Sequence, residues 1–444
     1  MKVSRFPNDP GPAAWNAILP AATNRAKVSA HIVCDWLVIG AGFAGLSAAR
    51  RLSELCHGQS ITVLDASRVA EGPAGRNSGF MIDVPHDLAS NDYGGSTGKD
   101  QRDIQLNRAG IAYALDAKAS YEMSDEAINV CGKINGAITA RGIKHNEEYA
   151  QHLTHLSEPF KHLNASDMQE LTGSTSYADG LYTPGTAMLQ PAMYIRGLAE
   201  GIEAAGVSIY EMSPVLELKR QENGWLAKTP DGSVKARKII LGVNGHLESF
   251  GYFPRQLMHV FTYGSMTRQL TKKESHELGG EANWSLTPAD PLGTTVRRFS
   301  GIGGERLIIR NRATFDPSLS VGPARLKQVS RTHDKSFVDR FPQIKNVDME
   351  YRWGGRLCLS RNSVSVFGEI DTNVFSACCQ NGLGTAKGTI SGKLAADLAC
   401  GRSSALLDQQ LSYAEPSKLP PTPIAKIGAT AVLKWGEFRA GKEL

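Results

Sequence analysis

A glycine-rich turn between an apolar run and an amphipathic segment constrains the fold of this chain more than any other stretch. It reads VIGAGFAGLSAARRL, with Gly40, Gly42 and Gly45 in the spacing GxGxxG. The preceding run CDWLVIG is short and stops at glycine, as a buried parallel strand does. FAGLSAARRLSEL has helical spacing of small and apolar residues, and SITVLDAS predicts a second buried strand. The stretch therefore predicts a β-α-β unit.

Each glycine of this turn has a physical reason if the unit binds a dinucleotide. The first allows a tight turn, the second lets the backbone approach a pyrophosphate, and the third permits close packing of helix on strand. The pattern alone is weak evidence, because a turn without a ligand needs similar residues. Asp65 ends the second strand about 20 residues after Gly45, where an acid accepts hydrogen bonds from a ribose. The combination predicts a dinucleotide site.

A second glycine-rich loop, EGPAGRNSGFMID, follows Asp65 almost at once. Gly72, Gly75 and Gly79 surround Arg76 and Asn77, a donor-rich pair suited to a phosphate or the edge of a ring. A dehydrogenase that binds only NAD has no need of such a loop, so it favours FAD. A plain surface loop is the alternative interpretation.

Composition narrows the class of protein. The 444 residues suffice for two domains or for one discontinuous domain around another. The 49 basic and 44 acidic residues leave a net charge of +5 without a basic tract, which argues against nucleic-acid binding. The seven cysteines show no CxxC or Cys/His spacing, so we expect reduced thiols in a cytoplasmic protein and no metal. No apolar run is long enough to span a bilayer, and none resembles a signal peptide.

The remaining chain predicts an α/β fold with an insertion. The stretch from 101 to 168 is helical and polar in pattern. After it, QPAMYIRGLAEGIEAAGVSIYE again predicts a helix followed by a strand. Mixed strands and loops follow, and then two strands, a glycine-rich turn and a helix close the pattern. We expect a Rossmann-like nucleotide-binding domain, α/β in class and α+β overall, with an inserted mixed-sheet substrate domain. The expected boundaries are 31–100, 170–250 and 350–405 for the first, 101–169 and 251–349 for the second, and 1–30 and 406–444 as terminal extensions.

The motifs in this order resemble the FAD-dependent amine and amino-acid oxidoreductases, the family of D-amino-acid oxidase, glycine oxidase and sarcosine oxidase. Within it they are most similar to the gamma-glutamylputrescine oxidase type. The similarity rests on the two glycine loops together with LQPAMYIRGLAEGIEAAGVSIYE, ARKIILGVNGH, RWGGRLCLSRNSVSVFG and CQNGLGTAKGTISGKLAADL. These pieces span residues 31 to 402, which makes the resemblance far more specific than one glycine motif.

The resemblance implies an FAD site built from separate loops. Asp65 takes the ribose, Arg76 and its neighbours run under the pyrophosphate and beside the isoalloxazine, and Val215 meets adenine. The last loop aims a helix N-terminus at the pyrimidine end of the flavin, where the reduced form is anionic. The implied cofactor-binding residues are Gly40, Ala41, Gly42, Phe43, Ala44, Gly45, Asp65, Ala66, Ser67, Arg68, Arg76, Asn77, Ser78, Gly79, Phe80, Met81, Val215, Asn381, Gly382, Leu383, Gly384 and Thr385.

Two positions depart from the family pattern. Relatives with covalent flavin have a cysteine where this chain has Gly355, and Cys358 lies three residues further on, so the resemblance implies non-covalent FAD. Sarcosine oxidases place a carboxylate-binding arginine where this chain has Ile82. That difference argues against a small amino acid held by such an arginine.

Candidates for the substrate side are weaker. The catalytic candidates are His86, Arg298 and Trp353. Arg310 is a second possible anion-binding arginine, Asp83 lies close to His86 in sequence, and Tyr263 is a possible aromatic wall. Each has a structural alternative, since such residues also serve as hydrogen-bonding, solvated or core side chains.

The expected reaction is oxidation of a C–N bond in an amine or amino-acid-like substrate. A hydride passes from carbon to flavin N5, and the imine formed hydrolyses to a carbonyl. Oxygen is the expected acceptor. The alternatives are a dehydrogenase of the same fold that passes electrons to a quinone or carrier, a monooxygenase that uses NAD(P)H, and an FAD-binding subunit without a substrate site.

Overall fold

A mixed sheet with parallel central strands forms the first layer of the fold. The computed structural model describes residues 1–3, 5–85, 90 and 94–444. The strands of this sheet are β1 (His31–Ile39), β2 (Ile61–Leu64), β9 (Ser208–Tyr210), β10 (Glu217–Gln221), β11 (Gly224–Lys228), β12 (Ser233–Leu241), β18 (Val366–Asp371) and β19 (Val374–Cys378). Their order is β10-β11-β12-β1-β2-β9, with β19 paired to β12 and β18 to β19. β1 runs parallel to both β2 and β12, so the predicted β-α-β unit is confirmed.

Helices cover this sheet and bring two N-termini to one edge. They are α1 (Ala14–Ala17), α2 (Phe43–Leu55), α3 (Thr97–Ser120), α6 (Pro191–Ala204), α9 (Ala386–Ala399) and α10 (Ala405–Leu411). α2 and α9 pack so closely that a Cβ at Gly392 would overlap the carbonyl oxygen of Ala44. The contact holds the start of α9 next to the start of α2.

A second, mixed sheet lies against the first layer. Its strands are β5 (Lys133–Ala137), β6 (Lys161–Asn164), β7 (Asp179–Thr183), β13 (Met258–Thr267), β14 (Trp284–Pro288), β15 (Thr295–Gly301), β16 (Gly304–Phe315) and β17 (Met349–Leu359). They are ordered β17-β13-β16-β15-β14-β5-β7-β6. β14 and β5 are parallel, whereas the other pairs are antiparallel. This is the mixed sheet expected for the inserted region.

The remaining elements connect the two sheets or flank the second one. A small antiparallel sheet contains β3 (Phe80–Met81), β4 (Ile128–Val130) and β8 (Ala187–Leu189) in the order β3-β8-β4. The other helices are α4 (Ala140–His155), α5 (Ala165–Thr172), α7 (Lys272–Leu278), α8 (Pro323–Arg340) and α11 (Thr422–Ala440). No helix in residues 1–3, 5–85, 90 and 94–444 is long and apolar enough to cross a membrane.

Three features differ from the sequence expectation. Helix α3 packs on α9 in the first layer, although most of it falls in the range 101–169 assigned to the substrate domain. The stretch from 101 to 168, predicted as helical, also contains β4, β5 and β6, because KINGA is a wholly buried strand without the alternation that reveals a half-buried one. β7 and β17 lie in the second sheet, although both fall in ranges assigned to the nucleotide-binding domain. The reason is pairing, since β7 forms a ladder with β5 and β17 forms one with β13. Strand pairing therefore moves the boundaries proposed near 170 and 350.

The contact between α2 and α9 generates the first prediction. Gly392→Ala places a methyl group against the backbone of α2, and we expect the free energy of unfolding to fall by about 1–3 kcal/mol. Gly428→Ala is the matched control, because Gly428 is also in a helix and nothing lies within 4 Å of its Cβ position. There we expect a gain of about 0.5–1 kcal/mol from helix propensity. Urea unfolding of both variants measures the difference, and equal effects would contradict the close packing.

Candidate functional site

A cavity of about 690 Å³ lies between the loops at one edge of the first sheet and one face of the second sheet. Its size is within the range of small-molecule and cofactor sites. The cavity brings together three loops that are far apart in the chain. The proposed cofactor residues that line it are Gly40, Ala41, Gly42, Phe43, Ala44, Asp65, Ala66, Ser67, Arg68, Arg76, Asn77, Ser78, Phe80, Val215, Gly382, Leu383, Gly384 and Thr385.

The first loop joins β1 to α2. Gly40 has φ of +104°, a conformation that L side chains rarely adopt, and its amide donates to the carbonyl of Leu64 at 2.7 Å. A Cβ at Gly45 would overlap the carbonyl oxygen of Gly40, so the third glycine lets the helix pack against the turn. Gly42 is the N-cap of α2 and makes no side-chain capping bond. The amides of the first helical turn are therefore available to an anion in the cavity.

Asp65 fixes this loop in place. One carboxylate oxygen accepts the amide hydrogen of Ala41 at 2.8 Å. The other accepts from the amide and the hydroxyl of Ser67, at 2.8 and 2.9 Å. The side chain thus connects the first loop to the residues after β2, at the position where the sequence predicts a ribose.

The third loop, between β19 and α9, meets the second loop. Gly382 has φ of +83°, and the hydroxyl of Thr385 donates to the carbonyl of Phe80 at 2.6 Å. α9 begins at Ala386, directly after the cavity-lining residues. The positive end of a second helix dipole therefore lies at the cavity, opposite in sign to an anionic ring.

The second loop is held by its own side chains. Arg76 donates to the carbonyl of Glu71 at 2.7 Å and to that of Gly11 at 2.9 Å. Burial lowers the pKa of this guanidinium, although nearby carboxylates oppose the effect. Asn77 accepts from the amide of Gly79 at 2.8 Å. Arg76 thus fixes the shape of the loop through backbone carbonyls, which the sequence interpretation of a phosphate donor did not foresee.

These residues fit an FAD molecule. Asp65 can accept a hydrogen bond from a ribose, and the free amides at the uncapped start of α2 can donate to a pyrophosphate. The positive end of α9 suits the flavin ring. The first loop contains glycine where a Cβ would meet backbone, namely the carbonyl of Gly242 at Gly40 and the carbonyl of Gly40 at Gly45. The cavity therefore offers each part of the dinucleotide a chemically matched wall.

One face of the second sheet closes the other side of the cavity. Thr262 pairs with Gly355, and Thr295 pairs with Arg310, in the cross-strand register. All four line the cavity, together with Thr287 of β14. This face presents hydroxyl groups and one guanidinium opposite the nucleotide-binding loops.

The N-terminal segment also reaches the cavity, which the sequence did not reveal. Phe6, Pro7, Asn8 and Asp9 line it. Asp9 forms a bidentate ion pair with Arg356, with distances of 2.7 and 3.0 Å from its oxygens to the guanidinium nitrogens. Residues 1–30 have no periodic pattern that could have predicted this contact, because it depends on long-range pairing with β17.

Four proposed cofactor residues do not line the cavity. Gly45 faces the turn, and Gly79 is enclosed by Arg297 and a backbone carbonyl. Met81 is wholly buried in the core. Asn381 points away and accepts from the amide of Ser360 at 2.8 Å. These four residues support the loops without lining the cavity.

The substrate-side candidates are placed differently from one another. Arg310 lines the cavity, whereas Arg298 does not, because it is buried in an ion pair with Glu305. Trp353 is buried and donates to the carbonyl of Arg76 at 3.0 Å, which makes it a support of the second loop. His86 lies outside the described residues.

Two further candidates are engaged behind the cavity wall. Tyr263 is buried with its hydroxyl 2.6 Å from that of Thr314. Asp83 is buried and pairs with Arg108 at 3.1 Å. Neither lines the cavity.

A buried lysine lies behind the threonine-lined face. Lys133 of β5 is 1% exposed and donates to the amide oxygen of Asn135. The same oxygen accepts from the hydroxyl of Thr287 at 2.8 Å, so a polar chain runs from Lys133 to the cavity wall. Burial lowers the pKa of Lys133 to about 8, although Asp83 opposes the effect. Hydrophobic periodicity predicts no such residue.

No metal cluster is evident in the part of the chain that the structure describes. There, no group of three or more His, Cys, Asp or Glu side chains is arranged to hold an ion.

Comparison with known proteins places this geometry in a family. The model of the family described as FAD dependent oxidoreductase matches residues 35–398. A probable oxidoreductase, OrdL, of Haemophilus influenzae is 27% identical, and the match covers 87% of this chain and 86% of that protein. The gamma-glutamylputrescine oxidoreductase of Escherichia coli is 24% identical, with coverage of 83% of this chain and 84% of the relative.

Solved structures share the fold. Glycine oxidase from Geobacillus kaustophilus superposes with a TM-score of 0.67 at 17% identity, over 84% of this chain and 96% of that one. NikD, an amino acid oxidase of nikkomycin biosynthesis, gives 0.65 at 18% identity, over 88% of this chain and 98% of that one. At these sequence identities the structural similarity shows a shared fold.

The Asp65 contacts generate the second prediction. Asp65→Ala removes three accepted hydrogen bonds that fix the first loop, and we expect the FAD dissociation constant to rise at least about tenfold. Fluorescence titration of FAD into deflavinated protein measures this value. Asp35→Ala is the matched control, because Asp35 also accepts from the amide and hydroxyl of a serine, Ser60, but in the middle of β1 and away from the cavity. An unchanged constant in the Asp65 variant would contradict the proposed role.

The buried lysine generates the third prediction. Because its pKa is lower in the folded protein than in the unfolded chain, the unfolded state binds more protons between about pH 8 and pH 10.5. Stability therefore rises with pH across that window. Between pH 7 and pH 9.5, the free energy of unfolding should rise by about 2 kcal/mol more in the unaltered protein than in Lys133→Met. Urea titrations at both pH values test this, and parallel profiles would show that Lys133 ionises normally.

Proposed function

The chain belongs to the family of FAD dependent oxidoreductases, and from that premise we propose that it oxidises the C–N bond of an amine. The chemistry that bound FAD supplies is removal of a hydride from the carbon next to a neutral amine nitrogen to flavin N5, which gives an imine that water hydrolyses to a carbonyl. The observation that carries the proposal is the single cavity shared by the nucleotide-binding loops and the threonine-lined sheet face.

We assign the cofactor-holding roles to the loops described above. Asp65 orients the ribose, the N-terminal turn of α2 faces the pyrophosphate, and Gly382 to Thr385 bring the start of α9 to the ring. The FAD is held without a covalent bond in this proposal. Glycine occupies position 355, and the thiol of Cys358 is buried with its pKa raised well above the usual range by the adjacent Cys379 and by burial. A protonated thiol is a poor nucleophile.

The substrate site follows from the remaining wall. Thr287, Thr295 and Arg310 lie on one side, where the Thr287 hydroxyl donates to Asn135 and can only accept from a ligand. Ile82 is 3% exposed and lines the cavity where an arginine would bind the carboxylate of a small amino acid. Ile82 in place of an arginine favours an amine over a small α-amino acid as substrate, whereas Arg310 is suited to an anionic group elsewhere on that amine.

In this proposal no protein side chain removes a proton from the substrate amine. His259 lines the cavity, but its Nε2 lies 2.7 Å from the carboxylate of Glu248, which engages it. Oxidation of an amine needs the free lone pair on nitrogen, and selection of the neutral form supplies it without a protein base. The value of kcat/KM is therefore expected to rise with pH and to level off above the pKa of the free substrate amine.

The related oxidoreductase from Escherichia coli carries gamma-glutamylputrescine in its name. That name and the family membership both support an amine substrate for this chain. Oxygen is the first acceptor to test, and a quinone or carrier protein is the second.

An anaerobic titration tests the function, and it is the fourth prediction. Polyamines, N-acylated amines and amino acids are added to the purified holoprotein while the flavin absorbance is recorded. We expect at least one amine to bleach the flavin faster than any α-amino acid, and re-admitted oxygen to restore the colour.

Other outcomes would contradict the proposal in different ways. Bleaching by NADPH without an amine would favour a monooxygenase. A flavin that no amine bleaches would favour a binding subunit. Bleaching that oxygen does not reverse but a quinone does would identify a dehydrogenase.

A further inference from the structure

A second cavity, of about 470 Å³, lies beside the first. Leu383 lines both cavities. Val260 and Leu357 are directly opposite each other in the β13–β17 ladder, and Val260 lines the second cavity whereas Leu357 lines the first. Side chains opposite each other on one sheet face have Cβ atoms about 5 Å apart. The two cavities therefore adjoin along one face of the second sheet.

The sheet face changes character along its length. Thr262 and Gly355 pair at the end near the first cavity, whereas Met258 and Leu359 pair at the far end. Phe315 of β16 pairs with Val260 and adds an aromatic wall to the second cavity. The surface is thus polar beside the nucleotide-binding loops and apolar beyond them.

Several charged and polar residues around the second cavity are engaged with other side chains or with the backbone. Asp103 pairs with Lys387 at 3.0 Å and with Lys99 at 3.3 Å. The lysines and the burial of Asp103 act in opposite directions on its pKa, and the net effect lowers it. Asn381 accepts from the amide of Ser360. Asn107 also lines the cavity, and its Oδ1 has no hydrogen-bond partner among the described residues. Apolar side chains therefore form most of the surface available to a ligand, with this one acceptor among them.

Helix α11 covers this cavity and leaves space beneath it. Its residues Ala425, Gly428 and Ala429 line the cavity, and nothing lies within 4 Å of the Cβ position of Gly428. The helix is fixed elsewhere, because Glu437 pairs with Arg312 at 2.6 Å. Ile424, Val432 and Leu433 of α11 line the cavity as well, and the short side chains between them leave the space.

The junction between the cavities is apolar as well. Ile82 and Leu383 belong to one buried hydrophobic cluster. Both line the first cavity, and Leu383 continues into the second. A charged carboxylate here would lose hydration without gaining a partner, whereas an alkyl chain would gain contacts.

We propose that the second cavity receives an apolar chain of the substrate, so that the preferred substrate class is an amine bearing an extended alkyl or otherwise apolar arm. This inference rests on the proposed amine oxidation. The amine nitrogen lies in the first cavity, and the arm passes Leu383 into the second. Helix α11 follows the residues matched by the family model, so this wall is supplied by a segment outside the shared core.

A chain-length series tests the inference, and it is the fifth prediction. Linear primary amines from butylamine to octylamine are compared by kcat/KM with the holoenzyme. Each added methylene that enters an apolar site contributes about fourfold. We expect a rise of at least about tenfold across the series, and a flat or falling series would overturn the inference.

A matched pair of variants locates the effect. Ala429→Phe fills the second cavity from its roof, whereas Thr430→Phe adds the same side chain at an exposed position that does not line it. We expect Ala429→Phe to lower kcat/KM for octylamine at least about tenfold while that for butylamine stays within about twofold. Thr430→Phe should change neither value. An equal loss for both amines in Ala429→Phe, with FAD content intact, would overturn the assignment.

Binding separates this inference from the proposed function. The dissociation constants of butylamine and octylamine are measured by thermal-shift titration of the holoprotein, which needs no turnover. Octylamine should bind more tightly than butylamine, and Ala429→Phe should remove the difference. If the amines bind in this way but never bleach the flavin, the amine-oxidation proposal fails while the cavity assignment holds. If octylamine gains nothing over butylamine, the cavity assignment fails whatever the flavin does.

Discussion

The hydrogen bond from the Ala41 amide to the Asp65 carboxylate is the contact on which the site depends. It joins the turn after β1 to the end of β2, and so fixes the direction in which α2 leaves the sheet. α9 then packs on α2 through Gly392, which places a second helix N-terminus at the same edge. A dinucleotide can extend across the cavity only if both helix starts keep this relation. In the proposed function, the ring would react in the space between these loops and the second sheet.

The sequence predicted the parts of the site that depend on local pattern. The turn at Gly40, Gly42 and Gly45 needs particular backbone angles and close approach, and such requirements are visible as glycine spacing. The strands β1 and β2 and the helices α2, α6 and α9 followed from periodicity. The family resemblance then ordered the three loops around one cofactor. The resemblance to the family is confirmed by the match of its model to residues 35–398.

Contacts made by distant segments could not be predicted in this way. Asp9 meets Arg356 because the N-terminal segment lies along β17, and no local pattern encodes that pairing. Arg298 and Arg310 look alike in sequence, yet one is buried in an ion pair and the other lines the cavity. Lys133 sits in a wholly buried strand, where an apolar residue is the expectation. In each case the tertiary neighbour decides the role, and the residue type alone does not.

The proposed function depends on FAD occupying the cavity of about 690 Å³ in a single direction. A crystal structure of the purified holoprotein tests it most directly. We expect density for the adenosine beside Asp65, for the pyrophosphate at the start of α2, and for the ring between Gly382–Thr385 and the face that carries Thr287 and Thr295. Density with the ring beside Asp65, or a cavity whose loops hold no dinucleotide in a flavin-containing protein, would contradict it.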